Sequence, residues 1–184
     1  KNKIKLTSTQ ELGVKYYYDL LEKIPYDEVE EIENLIKPFI KKTKGLKMTI
    51  AGSHRRKKEM SGDIDVLLYH NNYKTSQDVK ESDIMKNLLD SLFDENILLD
   101  TFSKSYQKYM GIIKIPDDKN SLARHIDIRF IPYESYYAAL LYFTGSGKFN
   151  EIMRAHAKSL GYKLNEYGLF KLVEDGEELI EVNS

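Results

Sequence analysis

The residues best suited to chemistry are Asp63 and Asp65, which stand one residue apart at the start of an apolar run ending near Tyr69. If residues 63–69 form a strand, its two-residue period places both carboxylates on one face and the aliphatic side chains on the other. Two like charges on one face are unfavourable unless a cation lies between them, and a hard divalent cation suits that position. An Asp-x-Asp pair alone more often belongs to a solvated strand, so both interpretations stay open on this pair.

A third carboxylate lies in a second alternating segment, residues 125–130. Its apolar side chains face one way, while Asp127 lies between His125 and Arg129 on the other face. Carboxylates on two adjacent strands can hold a pair of Mg²⁺ ions about 3.5–4 Å apart, the spacing used for phosphoryl and nucleotidyl transfer. The combination predicts a two-metal centre.

The turn at Gly52 and Ser53 supplies the other half of such a site. A glycine lets backbone N–H groups approach a phosphate closely, and Arg55 and Arg56 bring positive charge. Taken singly, a turn glycine and a surface arginine are common without any function. Together with the carboxylates they predict a phosphate cradle beside the metal site.

Length and composition fit a globular protein of one domain or two small lobes, with 184 residues, 41% hydrophobic and 31% charged. The chain has no cysteine, so a disulfide framework and a Cys-based zinc site are excluded. No apolar run approaches the ~18–20 residues of a membrane span, and the first residues lack the apolar core of a signal peptide. We expect an intracellular protein without a membrane partner, nuclear if the organism is eukaryotic.

The formal net charge of −1 is unusual for a nucleic-acid-binding protein, because affinity for DNA depends largely on neutralising phosphates. The charges are unevenly distributed, however. Residues 41–47, 55–58 and 148–163 are locally basic, whereas residues 28–33 and 174–181 are acidic. Each basic cluster is either a contact for phosphates or an ordinary solvated surface.

The first part of the chain predicts two helices. Residues 7–10 resemble a capping box, and apolar residues follow at helical spacing up to Leu21. Pro25 suits the first turn of a second helix, whose buried stripe lies in residues 29–36. Pro38 should end or kink this helix.

The middle of the chain predicts a helix packed on a mixed sheet. After Pro132, aromatic residues predict a helix that ends at Thr144-Gly145, then a second helix closed by Gly161 and a hairpin that turns near Gly168. The expected elements are strands at 47–51, 63–69 and around 127, a loop at 70–78, a helix around 84–93, a strand–turn–strand at 98–116, a helix at 149–160 and a hairpin at 162–172.

Several segments follow the order and the approximate spacing of the family X DNA polymerases, and the chain most resembles the polymerase beta type. The resemblance extends from residue 12 to residue 167. The segments are Gly52-Ser53-x-Arg55-Arg56, Ser61-Gly62-Asp63-Ile64-Asp65-Val66-Leu67-Leu68, Ile126-Asp127-Ile128-Arg129, Tyr142-Phe143-Thr144-Gly145-Ser146 and Met153-Arg154-Ala155-His156-Ala157.

This resemblance implies an α+β fold with a nucleotidyltransferase-type palm, a mixed sheet with helices packed on it, followed by a small helical and hairpin nucleotide-binding lobe. We predict an N-terminal helical segment at 1–24, the catalytic palm at 25–132 and the nucleotide-binding lobe at 133–184. Relative to the family, the chain would lack the N-terminal lyase and helix-hairpin-helix domains and the last C-terminal segment.

The resemblance also implies the cofactor and the catalytic residues. Asp63, Asp65 and Asp127 would bind two Mg²⁺ ions, for which Mn²⁺ would substitute. Asp127 would lie nearest the primer 3′-hydroxyl and accept or orient its proton.

Further residues match the family's contacts to the incoming nucleotide. Considered one at a time, each of these residues would more often be a turn glycine, a surface arginine or a core aromatic. The Tyr-Phe pair, where template-independent relatives carry Gly-Trp, resembles the template-dependent branch. The implied contacts are Gly52, Ser53, Arg56, Ser61 and Gly62 to the triphosphate, Tyr142, Phe143 and Gly145 to the sugar, and Asn150 to the minor-groove edge of the base.

A last group matches positions that contact DNA or change partners as the nucleotide-binding lobe closes. Lys108, Arg154 and Tyr167 would bind DNA, while Arg129 and Glu166, together with Tyr167, would form the conformational switch. An ordinary surface or interlobe hydrogen bond is an equally good interpretation of these residues.

The chain also departs from the family pattern. His125 replaces an arginine that braces the third aspartate, which predicts a looser or pH-sensitive hold on Asp127. Gly147 replaces an aspartate, and His54 and Lys57 replace an aromatic residue and a glycine in the phosphate turn.

The resulting expectation is a monomeric DNA-directed DNA polymerase that adds deoxynucleotides to a primer 3′-hydroxyl. Its partners would be deoxynucleoside triphosphates and primer-template or gapped DNA, in short-gap filling during base excision repair. Two alternatives stay open: a related nucleotidyltransferase that acts on RNA ends or a small molecule, and a non-catalytic remnant that only binds DNA or nucleotide.

Overall fold

A mixed five-stranded sheet with helices packed on it forms the larger part of the structure, a computed structural model that describes residues 5–180. The ends of the first and last predicted segments, residues 1–4 and 181–184, lie outside the described residues. The helices are α1 (Ser8–Lys15), α2 (Tyr17–Leu21), α3 (Tyr26–Lys41), α4 (Gly52–Arg55), α5 (Ser76–Glu81), α6 (Ile84–Asp94), α7 (Tyr136–Thr144) and α8 (Gly147–Ser159). The strands are β1 (Ile24–Pro25), β2 (Lys47–Ile50), β3 (Met60–Ser61), β4 (Ile64–Tyr69), β5 (Leu98–Lys104), β6 (Lys108–Ile113), β7 (Arg124–Phe130), β8 (Tyr162–Leu164), β9 (Leu169–Val173) and β10 (Gly176–Leu179).

The strands of the large sheet lie in the order β2-β4-β7-β6-β5. Strands β4 and β7 run parallel, and the other neighbouring pairs run antiparallel. This arrangement confirms the predicted α+β fold with a mixed sheet.

The two faces of β4 meet different partners. Ile64, Val66 and Leu68 belong to the main core, to which α3 and α6 contribute their apolar stripes. Each such side chain, once fully buried, contributes about 1.5–3 kcal/mol. On the other face, Tyr69 stacks on Tyr136 of α7 with ring centroids 3.9 Å apart. Helix α7 therefore packs on the face that also carries Asp65.

Residues after Pro132 form α7, α8 and a three-stranded antiparallel sheet. The first helix ends at Thr144, as predicted, and Gly161 follows the end of α8 with φ of 80°. The predicted hairpin corresponds to β8 and β9, but β10, which pairs with β9, was not predicted. The division into a palm at 25–132 and a lobe at 133–184 stays a prediction.

The N-terminal segment is helical but not continuous. Thr7 forms the expected capping box with Gln10, and the chain then breaks between α1 and α2 at Tyr16. Neither helix contains a buried residue. Polar contacts attach the segment to the sheet instead, since Lys15 Nζ lies 2.7 Å from Oδ2 of Asp100 and Tyr16 donates a hydrogen bond to the same oxygen.

The prediction that Pro38 ends α3 near Lys37 is wrong, because the helix continues to Lys41. The alternative, a kink at Pro38, stays a prediction. Proline removes one backbone hydrogen bond and costs ~3 kcal/mol in a helix interior. Ile36 and Ile40, on either side of it, are buried at 0% and 5% exposure. Their burial offsets that cost.

The loop predicted at 70–78 is shorter than expected. It ends at Thr75, which forms a capping box with Asp78 and starts α5. Among residues 5–180, no helix is long and apolar enough to cross a membrane.

Candidate active site

The parallel pairing of β4 and β7 brings two of the predicted catalytic carboxylates together. Asp65 lies directly opposite Asp127 in the register, between the pairs formed by Ile64 with Ile126 and Val66 with Ile128. The apolar neighbours point into the core, so both carboxylates share the opposite face of the sheet. Asp63 precedes β4 and is exposed.

The electrostatics of Asp65 reflect this crowding. Burial, followed by the charges of Asp63 and Asp127, raises the pKa of Asp65 from 3.8 to about 7, against the opposing effect of Arg129 and Arg56. The two neighbouring carboxylates therefore make Asp65 harder to ionise. A cation at this position would relieve the repulsion.

Only one of the two carboxylate oxygens of Asp127 has a partner. Its Oδ2 lies 3.6 Å from Nη2 of Arg129, and its side chain is 15% exposed. Its Oδ1 is buried and has no hydrogen-bond partner, and neither has Nε of Arg129. Arg129 also stacks on the ring of Phe143 at 4.5 Å. An acceptor atom beside Asp65 thus lacks a partner within the structure.

These residues fit Mg²⁺ in chemistry, because carboxylate oxygens are its preferred protein ligands. The unpartnered Oδ1 of Asp127 and the raised pKa of Asp65 both fit a cation between the strands. In residues 5–180, however, no three Asp, Glu, His or Cys side chains converge closely enough to hold one ion as they stand. A bound ion would therefore require these side chains to rotate.

The cradle predicted at Gly52 and Ser53 lies next to these carboxylates. Ala51 donates its backbone N–H to the carbonyl oxygen of Asp65 at 2.8 Å, and the one-turn helix α4 follows immediately. Gly52 has φ of 56°, and a Cβ there would overlap with Oδ2 of Asp65. Only glycine allows this turn to lie against the carboxylate.

The arginines of the cradle contact α7 as well. Arg56 donates from Nη2 to Oγ of Ser53 at 3.5 Å and from Nη1 to the carbonyl oxygen of Thr144. Arg55 donates to Oγ1 of Thr144 at 2.9 Å.

Ser61 and Gly62, also predicted to contact the triphosphate, lie between the cradle and β4 in the chain. Ser61 is buried in β3 opposite Ile24, with Oγ unpartnered, and Gly62 is exposed.

The residues predicted to contact the sugar and the base lie at the end of α7, just after it and in α8. Tyr142, Phe143 and Gly145 are all half-buried. Asn150 donates from Nδ2 to the carbonyl oxygen of Tyr142 at 2.7 Å. The segment 142–145 therefore has a hydrogen-bond partner in α8 and others in the cradle.

The residues predicted to bind DNA or to act as a switch lie in two separate regions. Lys108 pairs with Arg129 in the register of β6 and β7. Both line a cavity of about 170 Å³ with Phe143, Glu166 and Tyr167. The cavity brings the proposed switch residues Arg129 and Glu166 to one place. Arg154 lies elsewhere, exposed on α8, at the edge of a groove formed with β8.

His125, which replaces the family's bracing arginine, has an aromatic neighbour. Its ring meets Phe102 edge-on, with centroids 5.6 Å apart. Within residues 5–180, Arg129 is the ion-pair partner of Asp127. The contact that braces this aspartate therefore comes from the residue two positions after it.

A sheet that sets two carboxylates opposite each other beside a glycine–serine turn has the architecture of a nucleotidyltransferase palm. Comparison with known families agrees with it. The DNA polymerase beta palm model matches residues 23–133, and the DNA polymerase beta thumb model matches residues 139–184.

Individual relatives belong to the same group. DNA polymerase lambda of Rattus norvegicus is 36% identical over 185 residues, covering 97% of this chain and 31% of the rat protein. DNA polymerase lambda of Arabidopsis thaliana is 30% identical, covering 92% of this chain and 33% of the plant protein. A DNA nucleotidylexotransferase of Xenopus laevis is 28% identical, covering 92% of this chain and 39% of that protein. The chain belongs to the family X DNA polymerases and spans about a third of the length of these relatives.

The sequence analysis missed the role of Thr144. This residue was recognised only as part of a motif, yet its hydroxyl and its carbonyl oxygen each accept a hydrogen bond from an arginine of the cradle. The partners are 88 and 89 residues apart in the chain, so no local pattern links them. The cation–π contact between Arg129 and Phe143 was missed for the same reason.

Proposed function

We propose that the chain carries the catalytic portion of a DNA-templated DNA polymerase that adds deoxynucleotides to a primer 3′-hydroxyl. The observation that carries the proposal is the register of Asp65 opposite Asp127, with the Gly52-Ser53 cradle against the same carboxylate. Membership of the family X DNA polymerases supports the same reaction class.

Asp63, Asp65 and Asp127 would hold two Mg²⁺ ions, for which Mn²⁺ would substitute. When bound, the ions would lower the pKa of the primer hydroxyl and neutralise charge on the pyrophosphate leaving group. The unpartnered Oδ1 of Asp127 is suited to accept or orient the proton of that hydroxyl. Its burial beside a cationic Arg129 keeps the carboxylate group in place.

The cradle and the segment 142–145 would bind the incoming nucleotide from two sides. Ser53 and the remaining guanidinium donors of Arg56 face the triphosphate, with Gly52, Ser61 and Gly62 shaping the approach. Tyr142, Phe143 and Gly145 pack against the sugar, and a ribose 2′-hydroxyl would meet this segment. Asn150 is the proposed base contact.

DNA is the proposed macromolecular partner, with a gapped duplex as its preferred form and short-gap filling in repair as the cellular role. Lys108 and Tyr167 line the cavity beside Arg129, where a primer strand would approach. Arg154 is exposed on α8 and would contact the template. Exchange of partners by Arg129 and Glu166 would accompany closure on the nucleotide. We expect a monomer.

A gap-filling assay tests this function. The protein is given a one-nucleotide gap, Mg²⁺ and either deoxy- or ribonucleotides, with Asp65→Asn as the inactive control. Extension with deoxynucleotides that follows the template supports the proposal. Preference for ribonucleotides would favour the related nucleotidyltransferase, and nucleotide binding without any extension would favour the non-catalytic remnant.

A further inference from the structure

The phosphate cradle and the end of α7 are joined by hydrogen bonds that end on one residue. Arg55 donates to Oγ1 of Thr144 at 2.9 Å, and Arg56 donates to the carbonyl oxygen of the same residue. The hydroxyl of Thr144 in turn donates to the carbonyl oxygen of Leu140. We call the contact among Arg55, Arg56 and Thr144 the latch.

The two sides of the latch serve different parts of a nucleotide under the proposed function. On one side, Arg56 also reaches Oγ of Ser53 in the cradle. On the other side, Thr144 lies between Phe143 and Gly145, which belong to the sugar-contacting segment. The latch therefore fixes the distance between the groups that would hold the triphosphate and those that would hold the sugar.

The end of α7 is shaped to make this contact. Gly145 has φ of 60°, and a Cβ there would lie 3.3 Å from Nη1 of Arg56. A residue other than glycine would be strained and would press on the guanidinium group. The other side of the segment is fixed by the hydrogen bond from Asn150 to Tyr142. The segment 142–145 is thus held from the cradle and from α8.

Arg55 differs from Arg56 in one important respect. Its guanidinium group is bound to the hydroxyl of Thr144, and this hydroxyl is already oriented by Leu140. Within residues 5–180, Arg55 makes no side-chain hydrogen bond to the cradle, whereas Arg56 reaches Oγ of Ser53, and its five N–H donors allow it to bind the α7 carbonyl oxygen and a phosphate together. Arg55 is therefore suited to hold the segment, while Arg56 holds the ligand.

We propose that Arg55 and Thr144 are positioning residues, which keep the sugar-contacting segment in register with the phosphate cradle. Nucleotide affinity and the preference for deoxyribose then depend on a hydrogen bond that does not itself touch the nucleotide. The inference rests on the proposed function, since it assigns the two sides of the latch to phosphate and sugar.

The test uses two disrupting variants and two matched controls. Thr144→Val removes the hydroxyl at nearly constant shape, and Arg55→Gln removes the charge from an exposed side chain without disturbing the core. Thr144→Ser keeps the hydroxyl and is the control for Thr144→Val. Lys58→Gln removes a neighbouring exposed charge, whose side chain makes no hydrogen bond or ion pair within the part of the chain that the structure describes.

Equilibrium binding is measured in Mg²⁺ buffer, without primer, for a deoxynucleoside triphosphate, the matching ribonucleoside triphosphate and inorganic tripolyphosphate. Thr144→Val and Arg55→Gln should weaken deoxynucleotide binding roughly 3–10-fold and lower the deoxy-to-ribo ratio, because one solvent-exposed hydrogen bond is lost. Tripolyphosphate should bind to Thr144→Val as to the wild type, since it needs only the cradle, and Arg55→Gln should lose less affinity for tripolyphosphate than for the deoxynucleotide. Thr144→Ser and Lys58→Gln should behave as the wild type.

Two results would overturn the inference. If tripolyphosphate and deoxynucleotide lose the same affinity, Arg55 is simply a phosphate contact. If neither ligand changes, the latch has no role in binding. Failure of the polymerase proposal is a separate outcome, recognised when the wild type binds deoxynucleotide but extends no primer. The binding ratios of the variants decide the inference in that case too.

Discussion

The carboxylate pair and the segment 142–145 are held in place by different means. Asp65 and Asp127 lie on adjacent strands in the interior of a five-stranded sheet, with core residues on both sides of each in the chain. The segment 142–145 is held by side-chain hydrogen bonds, of which the one from Arg55 is exposed. The first arrangement is part of the sheet, and the second depends on individual side-chain hydrogen bonds.

The difference fits two requirements of a nucleotidyl transfer. Catalytic groups must be pre-organised, because errors in their position reduce the rate steeply. A segment that contacts a substrate must instead be positioned without blocking its entry, and side-chain hydrogen bonds near the surface allow local motion more easily than a buried strand does. We therefore expect mutations in the sheet to change chemistry or stability strongly, and mutations in the segment to change affinity with little effect on stability.

Replacing a catalytic carboxylate should give the largest effect. Asp65→Asn keeps the backbone register with Asp127 but removes a ligand charge, so primer extension should fall by about 10³-fold or more while the fold persists. Gap filling and far-UV circular dichroism measure both quantities. Asp90→Asn, an exposed position on α6, is the control and should stay active. An active Asp65→Asn protein would contradict the assignment.

The free energy of unfolding should depend on pH through Asp65 when metal is removed. Burial and two neighbouring carboxylates raise its pKa from 3.8 to about 7, so folding disfavours the ionised form. The contribution of the protonated Asp65 carboxyl to the free energy of unfolding is complete below about pH 4 and is lost as the pH rises to about 7. The loss amounts to at most about 4 kcal/mol.

Urea unfolding in EDTA at pH 5 and pH 8 measures this change. Asp65→Asn should show a smaller difference between the two pH values than the wild type, and it should be the more stable protein at pH 8. Equal pH dependence in the two proteins would show that the carboxylate is not desolvated.

The contact between the cradle and the sheet can be tested at Gly52. Gly52→Ala forces an L-residue to a φ of 56° and drives its Cβ into Asp65, which should cost about 1–3 kcal/mol and weaken nucleotide binding. Gly13→Ala is the matched control, because Gly13 lies in α1 with open space around its Cα. It should stabilise the protein by about 0.5–1 kcal/mol. Thermal unfolding of both variants distinguishes strain from a general effect of alanine.

The carboxylate face was predictable because strand periodicity is a local property. Alternation in residues 63–69 and 125–130 fixes which side chains share a face, whatever the partner strand is. The pairing of Asp65 with Asp127 could only be hypothesised, since register depends on contacts between distant segments. The capping box of α5, Thr75 to Asp78, was in the sequence and could have shortened the predicted loop.

The failures have a common physical cause. Pro38 is tolerated within α3 because Ile36 and Ile40 are buried, and local propensity says nothing about that burial. The latch joins Arg55 to Thr144 across the chain, and two arginines in a turn do not indicate which carbonyl or hydroxyl they will reach. Tertiary contacts decided both outcomes.

The smallest expected effect concerns the connection between the two regions, the stacking of Arg129 on Phe143 at 4.5 Å. Phe143→Leu removes the ring and should lower the free energy of unfolding by about 1 kcal/mol, because a partly buried cation–π contact contributes that amount. Phe143→Tyr keeps an aromatic face and should retain most of the stability. Chemical denaturation of the three proteins measures the difference. If Phe143→Leu is as stable as the wild type, the contact with Arg129 contributes nothing, and the sheet and the segment are more independent than the contact suggests.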